Sequence, residues 1–311
     1  MKTLSQIFVL LIIACTSCSN HKVQGVTSNQ NKKDSITAFV LPAIPVTLQT
    51  PETRALFLSK HYWDNFNFAD TNNIHRPEIT EQAWVDYIDI LKILPDTATE
   101  KSIEILFNKA DSNKRMYRYF TEMADKYLYD PNSPMRNEEL YIRVLDAMLR
   151  SKSLSSAEKI RPQERRKIAE RNRVGKPAIN FTFTLASGKQ MALYDIKAEY
   201  VLLFINNPGC HACEETIQAL KGQNAINQKL QNKNLVILSL YPDEDLSEWK
   251  KHLSEFPENW LRAYDKEQIL RKKALYDLKA IPTLYLLDKN KKVLLKDANV
   301  NEIETYLSKG T

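Results

Sequence analysis

Four cysteines stand in this 311-residue chain, in two identical spacings: Cys15-Thr-Ser-Cys18 and Cys210-His-Ala-Cys213. Thiols three positions apart can share a zinc ion, close a structural staple, or exchange disulfides. A shared zinc would need both pairs, and the roughly 190 residues between them lie far outside zinc-ribbon spacing. The second pair sits where redox chemistry would want it. Cys210 follows the continuous apolar run Tyr200-Val-Leu-Leu-Phe-Ile205, which reads as a buried strand, and Cys213 falls in the first turn of the helix that comes next. Free N–H groups and the dipole at a helix start stabilise a thiolate on the outermost cysteine, and two intervening residues let the second sulfur reach the first. His211, when protonated, adds to that stabilisation, whereas Glu214 and Glu215 suit a helix start but oppose the thiolate. The signs conflict, so the spacing sets the chemistry and leaves the redox poise open.

The first pair has a different setting. Lys2 precedes an apolar run from Ile7 to Ala14, too short to span a bilayer as a helix, which reads as a secretory leader. Ile12-Ile13-Ala14-Cys15 resembles the lipobox of bacterial lipoproteins, in which cleavage leaves the cysteine first and acylated. The expectation is a lipid anchor on Cys15 and a place in the cell envelope facing the periplasm. By the family's sorting habit, Thr16 after the cysteine leans to the outer membrane. With Cys15 spent on lipid, no metal site is expected. Outside the cytosol the Cys210–Cys213 pair is free to cycle or to lock. Net charge is +6, or +5 without Lys2, which is not the footprint of a nucleic-acid binder.

A second element answers the Cys pair about seventy residues later, in Ala280-Ile281-Pro282-Thr283 at the start of a strand. Proline cannot donate to a ladder, so it is expected to leave an edge free there. A cis Ile281–Pro282 bond would bring backbone groups beside the sulfurs, able to pair with an extended client peptide. A trans proline opening a strand is the plain alternative.

Around these motifs the chain divides into a leader and lipobox (1–19), a polar tether (20–45), an all-helical domain (46–174) and an α/β domain (175–311). Helical stripes run through Leu58, Tyr62 and Phe66; through Trp84, Ile88, Leu91 and Leu94 up to Pro95; and through Ile103, Leu106 and Ala110. A later one links Tyr141, Leu145 and Met148. The aromatic cluster Tyr62, Trp63, Phe66 and Phe68 beside His61 reads as helix-packing core. Arg165, Arg166, Lys167, Arg171 and Arg173 read as the solvated face of a helix leading into the linker, and His21, His75 and His252 as lone surface residues. From Asn180 the pattern turns to strands. Expected are a hairpin over Ala186–Lys189, buried strands at 200–205 and 235–240, and one helix from the Cys pair to about Asn232. Helices near 246–255 and 266–276, a hairpin over Asp288–Lys292 and a last helix near 302–308 complete the reading.

In that order and spacing, strand, Cys-x-x-Cys helix and Tyr276-Asp-Leu-Lys-Ala-Ile-Pro-Thr-Leu-Tyr-Leu-Leu-Asp-Lys-Asn290 resemble the thioredoxin superfamily. Phe181-Thr-Phe-Thr-Leu-Ala-Ser-Gly-Lys189, with Leu193 and Asp195 after it, resembles the membrane-tethered TlpA and ResA branch. The resemblance implies a thioredoxin-like α/β C-terminal domain preceded by an all-α domain of uncharacterised type. It implies a thiol-disulfide oxidoreductase with Cys210 attacking, Cys213 resolving and Pro282, after Ile281, as the cis-proline. No cofactor is implied. The partners would be disulfide- or thiol-bearing exported proteins and an upstream electron donor. Three positions depart from the family: Gly209 stands where a tryptophan is usual, Phe204 where a buried carboxylate is usual, and Ala212 replaces proline. Glu214, Glu215 or water would then carry the proton of the resolving step.

Two readings compete. A non-catalytic envelope lipoprotein would keep Cys210 and Cys213 closed as a staple while the helical domain binds a partner, although a staple needs neither the helix start nor Pro282. A peroxiredoxin-like peroxidase would want Thr-x-x-Cys, and that threonine position is Asn207.

Overall fold

The computed structural model describes residues 38–309. Cys15, Cys18, His21 and residues 20–37 of the expected tether lie outside the described residues.

The N-terminal part is helical: α1 (Pro51–His61), α2 (Pro77–Lys92), α3 (Asp96–Ala110), α4 (Lys114–Ala124), α5 (Glu138–Arg150) and α6 (Ser156–Ala169). Local signals start these helices. Proline opens α1 and α2, where its missing N–H costs nothing; Asn113 and Asn137 cap α4 and α5; Ser155 and Glu158 form a capping box for α6. Apolar stripes then drive packing. Trp84, Tyr87 and Ile88 of α2 meet Phe107, Phe120 and Leu145 in one core. Tyr62, Trp63 and Phe68 are buried in it, Trp63 standing edge-on to Phe120 at 5.1 Å, while His61 stays outside on Asp64.

The C-terminal part is a seven-stranded sheet: β1 (Thr182–Leu185), β2 (Gln190–Ala192), β3 (Tyr200–Ile205), β4 (Leu235–Tyr241), β5 (Leu261–Tyr264), β6 (Thr283–Asp288) and β7 (Val293–Lys296). The order is β2-β1-β5-β4-β3-β6-β7, with β3, β4 and β5 parallel and the rest antiparallel to their neighbours. Alternation along β3 feeds two cores. Val201, Leu203 and Ile205 pack with Phe183, Tyr276 and Tyr285 on one face. Leu202 and Phe204 pack with helix residues on the other. Those helices are α7 (His211–Lys221), α8 (Asn224–Gln231) and α11 (Val300–Ser308). An all-α region followed by an α/β sheet domain is the expected architecture.

Several elements correct the sequence reading. The helix after the Cys pair is two helices, broken at Gly222. The expected helix over 266–276 shrinks to the four residues of α10 (Ile269–Lys272), entered through Gln268 at φ 54° and left through Ala274 at φ 45°. Residues 246–255 hold a short helix, α9 (Leu246–Lys251), and one 3₁₀ turn. β5 was not expected at all. Pro282 does not leave a sheet edge free, because β6 lies between β3 and β7.

The arginine run is not a solvated face either. Arg165 reaches Asp125 at 2.7 Å, Arg166 reaches Asp146 at 2.8 Å, and Arg173 pairs with Glu139 and Glu170. Arg171 donates to the backbone carbonyls of Lys273 and Ala274. Carboxylates of α5 and the preceding turn, and exposed carbonyls of the sheet part, turn these cations into a seam. Lys296 continues it by pairing with Glu138 at 2.6 Å and donating to the Arg171 carbonyl. Among the described residues no helix is long and apolar enough to cross a membrane.

Candidate functional site

Cys210 is the N-cap of α7. Its extended backbone (φ −86°, ψ 115°) turns its carbonyl to accept from the N–H groups of Cys213 (2.9 Å) and Glu214 (3.0 Å). That winding places the two sulfurs at different depths: Cys210 is half-buried, while Cys213, one turn in, is 2% exposed. Both are free thiols. Just before them Gly209 adopts φ +63°, a conformation that a side chain would strain, so the chain can swing from β3 into α7 there.

The Cys210 thiol donates to the Ile281 carbonyl at 4.0 Å, and the Ile281–Pro282 peptide is cis. Thus Cys210, Cys213, Ile281 and Pro282 meet at one end of β3 and β6. His211 is instead 85% exposed in its side chain and turns to Glu215, with Nε2 3.2 Å from its carboxylate. Glu214 also faces solvent.

Burial pushes the Cys213 thiol up to about 12; a backbone hydrogen bond at Asn207 opposes the rise, and Cys210 and Glu214 add to it. The wall beneath explains the burial. Phe204 is fully buried, edge-on to Trp260 at 6.3 Å, in the same cluster as Cys213 and Ile217. An apolar ring therefore lies where the family carries a carboxylate.

One neighbour of the site went unread in the sequence, and another corrects the sequence reading. Buried Asn206 donates to the Phe204 carbonyl (3.0 Å) and Ser239 Oγ (2.9 Å), pinning the loop that leaves β3, while its own Oδ1 has no partner. His252 is not a lone surface residue: its Nδ1 meets Glu255 at 2.5 Å and its Nε2 meets Glu248 at 3.0 Å. Its ring lies 3.9 Å from where a Gly209 Cβ would stand, so it borders the position where a tryptophan is usual. The i, i+4 spacing from Glu248 was the available signal. His75 likewise has a partner, Arg115 at 3.0 Å. Among the described residues no three His, Cys, Asp or Glu side chains converge as metal ligands.

Comparison with known proteins finds two matched regions. Residues 17–172 match a domain of unknown function, DUF5106, and residues 198–293 match a thioredoxin-like family model. A solved thioredoxin-like protein from Bacteroides caccae is 57% identical, covering 89% of this chain and 100% of its own, at a TM-score of 0.86. Curated relatives named thiol-disulfide oxidoreductase ResA, from Bacillus thuringiensis and Bacillus anthracis, are each 29% identical over 145 residues, 46% of this chain and 81% of theirs.

Proposed function

Because the chain belongs to the thioredoxin-like proteins that carry this domain of unknown function, we propose that it is a thiol-disulfide oxidoreductase working through Cys210 and Cys213. The observation that carries this reading is a half-exposed Cys210 thiol beside the Ile281 carbonyl, with a buried Cys213 one turn behind it. The Cys210 thiolate attacks one sulfur of a client disulfide; the client S–S bond breaks, and the departing sulfur takes a proton. Cys213 then loses its proton and attacks Cys210, closing the protein disulfide and releasing the second client thiol. Two electrons and two protons pass to the client, and a dithiol donor restores the protein. Where another thiol of the client, rather than Cys213, attacks the mixed disulfide, the Cys210 thiolate is released and the client disulfide is rearranged with no net transfer of electrons.

Glu214, beside Cys213 and facing water, is the nearest carboxylate in sequence to take the resolving proton, with Glu215 tied up by His211. Under this reading the chain is an envelope lipoprotein, anchored through Cys15 and facing the periplasm. It would comprise a leader (1–19), tether (20–45), helical domain (46–174) and redox domain (175–311), with exported proteins as clients. Two experiments test it. Dithiothreitol-driven reduction of insulin disulfides should be fast with the native protein and lost with Cys210→Ala; slow turnover with an unopened Cys pair would favour a structural staple. Intact-mass analysis of the membrane fraction should find acyl chains on Cys15 and none in Cys15→Ala.

A further inference from the structure

A cleft of about 790 Å³ opens beside the Cys pair, and both halves of the chain build it. One side is formed by immediate neighbours of the Cys pair, Ala212 between the two cysteines and Ile281 and Pro282 across from them, while neither cysteine itself lines the cleft. The opposite side is the connection from the turn after α4 to α5, through Tyr129, Pro131, Asn132, Pro134 and Arg136. We propose that this helical-domain segment is the second wall of a client groove, and that it admits a cysteine on an extended, lysine- or arginine-flanked segment rather than on a folded surface. The proposal rests on the redox reading of Cys210 and Cys213 and adds what that pair accepts.

The wall is fixed in place by its own hydrogen bonds. Asn132 N–H donates to Asp130 Oδ1 at 2.8 Å, Ser133 Oγ to the Tyr127 carbonyl at 2.7 Å, and Asn137 N–H to the Leu128 carbonyl at 3.1 Å. Arg136 then crosses to the sheet part, donating to the Asp297 carbonyl and lying 3.8 Å from its carboxylate. Asp297 accepts from Thr283 Oγ1 at 2.7 Å, and Thr283 follows Pro282 directly. The two walls are thus held at a set separation, and a bound segment need not order them.

Size selects the occupant. The volume falls in the range of clefts that enclose small ligands, roughly 300–1,000 Å³. A folded partner typically presents about 800 Å² of surface and cannot enter such a cleft. An extended chain can, pairing its backbone with the carbonyls near Pro282. Charge sets the preference. The lining carries five carboxylates, Glu138, Glu139, Glu215, Asp297 and Glu302, against three cations, Arg136, Lys279 and Lys296. Glu139 and Glu215 also lean on Arg173 and His211, yet both side chains stay exposed. A cationic flank meets those carboxylates.

Asn132 and Pro134 are exposed and lie far from both sulfurs in sequence, so Asn132→Trp and Pro134→Trp obstruct the cleft without touching the redox pair. The probes are 2-hydroxyethyl disulfide, which is small and neutral, and disulfide-linked dimers of an unstructured cysteine peptide flanked by lysines or by glutamates. The native full chain should turn over the lysine peptide about tenfold faster than the glutamate peptide at low salt. Both substitutions should cut lysine-peptide turnover about tenfold while leaving the hydroxyethyl disulfide rate unchanged. Equal rates on the two peptides, or undiminished peptide turnover in both variants, would overturn the proposal. So would a concentration-dependent dimer that both substitutions abolish, which would give the cleft to a second copy. Failure of the native protein on hydroxyethyl disulfide is a separate result: it removes the redox reading, and the client groove with it.

Discussion

The thiol of Cys210 reaches the carbonyl of Ile281 across 4.0 Å, although 71 positions separate them in the chain. Topology brings them together. β3 and β6 are adjacent and antiparallel, with Ile205 opposite Thr283, so the chain leaving β3 toward the Cys pair and the chain entering β6 through Pro282 emerge at the same end of the sheet. The Cys210 thiol and the cis Ile281–Pro282 peptide are thereby assembled from two loops on a buried scaffold.

Depth should separate the two thiols chemically. With Cys213 held up to about 12, iodoacetamide at pH 8 should alkylate Cys210 in the reduced protein and leave Cys213 intact, as mapped by peptide mass. Equal modification of both would contradict the burial argument.

The same raised value has a consequence for stability. A folded-state value above the ordinary thiol value of 9.0 means that the folded form holds the proton longer than the unfolded one. The contribution is complete below pH 9 and is lost as pH climbs toward 12. Thermal unfolding of the reduced native protein should therefore fall more steeply over that window than that of Cys213→Ala, which shares every other titrating group. Parallel curves would count against it.

Asp297 should matter for stability more than a surface carboxylate does. It is the shared acceptor for Thr283 Oγ1 (2.7 Å), Lys279 (3.7 Å) and Arg136 (3.8 Å), and its side chain is only 10% exposed. Asp297→Ala removes the Thr283 hydrogen bond and one carboxylate from two largely buried cations. Lys279 keeps Asp277 at 2.7 Å and Arg136 keeps the backbone carbonyl, so the substitution should cost about 2 kcal/mol in urea denaturation. A cost below about 1 kcal/mol, the level of an exposed pair, would refute the role.

His252 should titrate above its ordinary value of 6.5, because Glu255 first and Glu248 second favour the imidazolium. A raised folded value stabilises the protein fully below pH 6.5, and the contribution fades as pH rises through that value. NMR titration of the ring proton should give a midpoint above 6.5 that Glu255→Gln lowers; a native midpoint at or below 6.5 contradicts the clamp.

Local chemistry made much of this fold legible. The apolar run at β3, the helix start at Cys210 and the proline before β6 each declare themselves within a few residues, as do the capped helices of the N-terminal half. What stayed hidden depends on partners far away in sequence. β5 reads Leu-Arg-Ala-Tyr, too mixed to announce a strand, and owes its state to pairing with β4 and β1. Residues 266–276 carry helical spacing, but Asp265 Oδ2 accepts from Leu270 N–H at 2.8 Å and Ala274 takes φ 45°, so the segment is consumed by a tight turn. The arginines after 160 looked solvated because their carboxylates sit on other elements. His252 differs: its partners Glu248 and Glu255 lie four and three positions away and were legible, and only its place against Gly209 was not.

The central claim is that Cys210 attacks and Cys213 resolves, and mixed-disulfide trapping tests it most directly. Cys213→Ala expressed in cells should accumulate client proteins on Cys210 as high-mass adducts that dithiothreitol releases, because no second thiol remains to cleave them. Cys210→Ala should trap almost none and lose insulin reduction, since Cys213 is buried and protonated. Adducts on Cys213→Ala alone would bear the account out; equal trapping by both variants, or none by either, would contradict it.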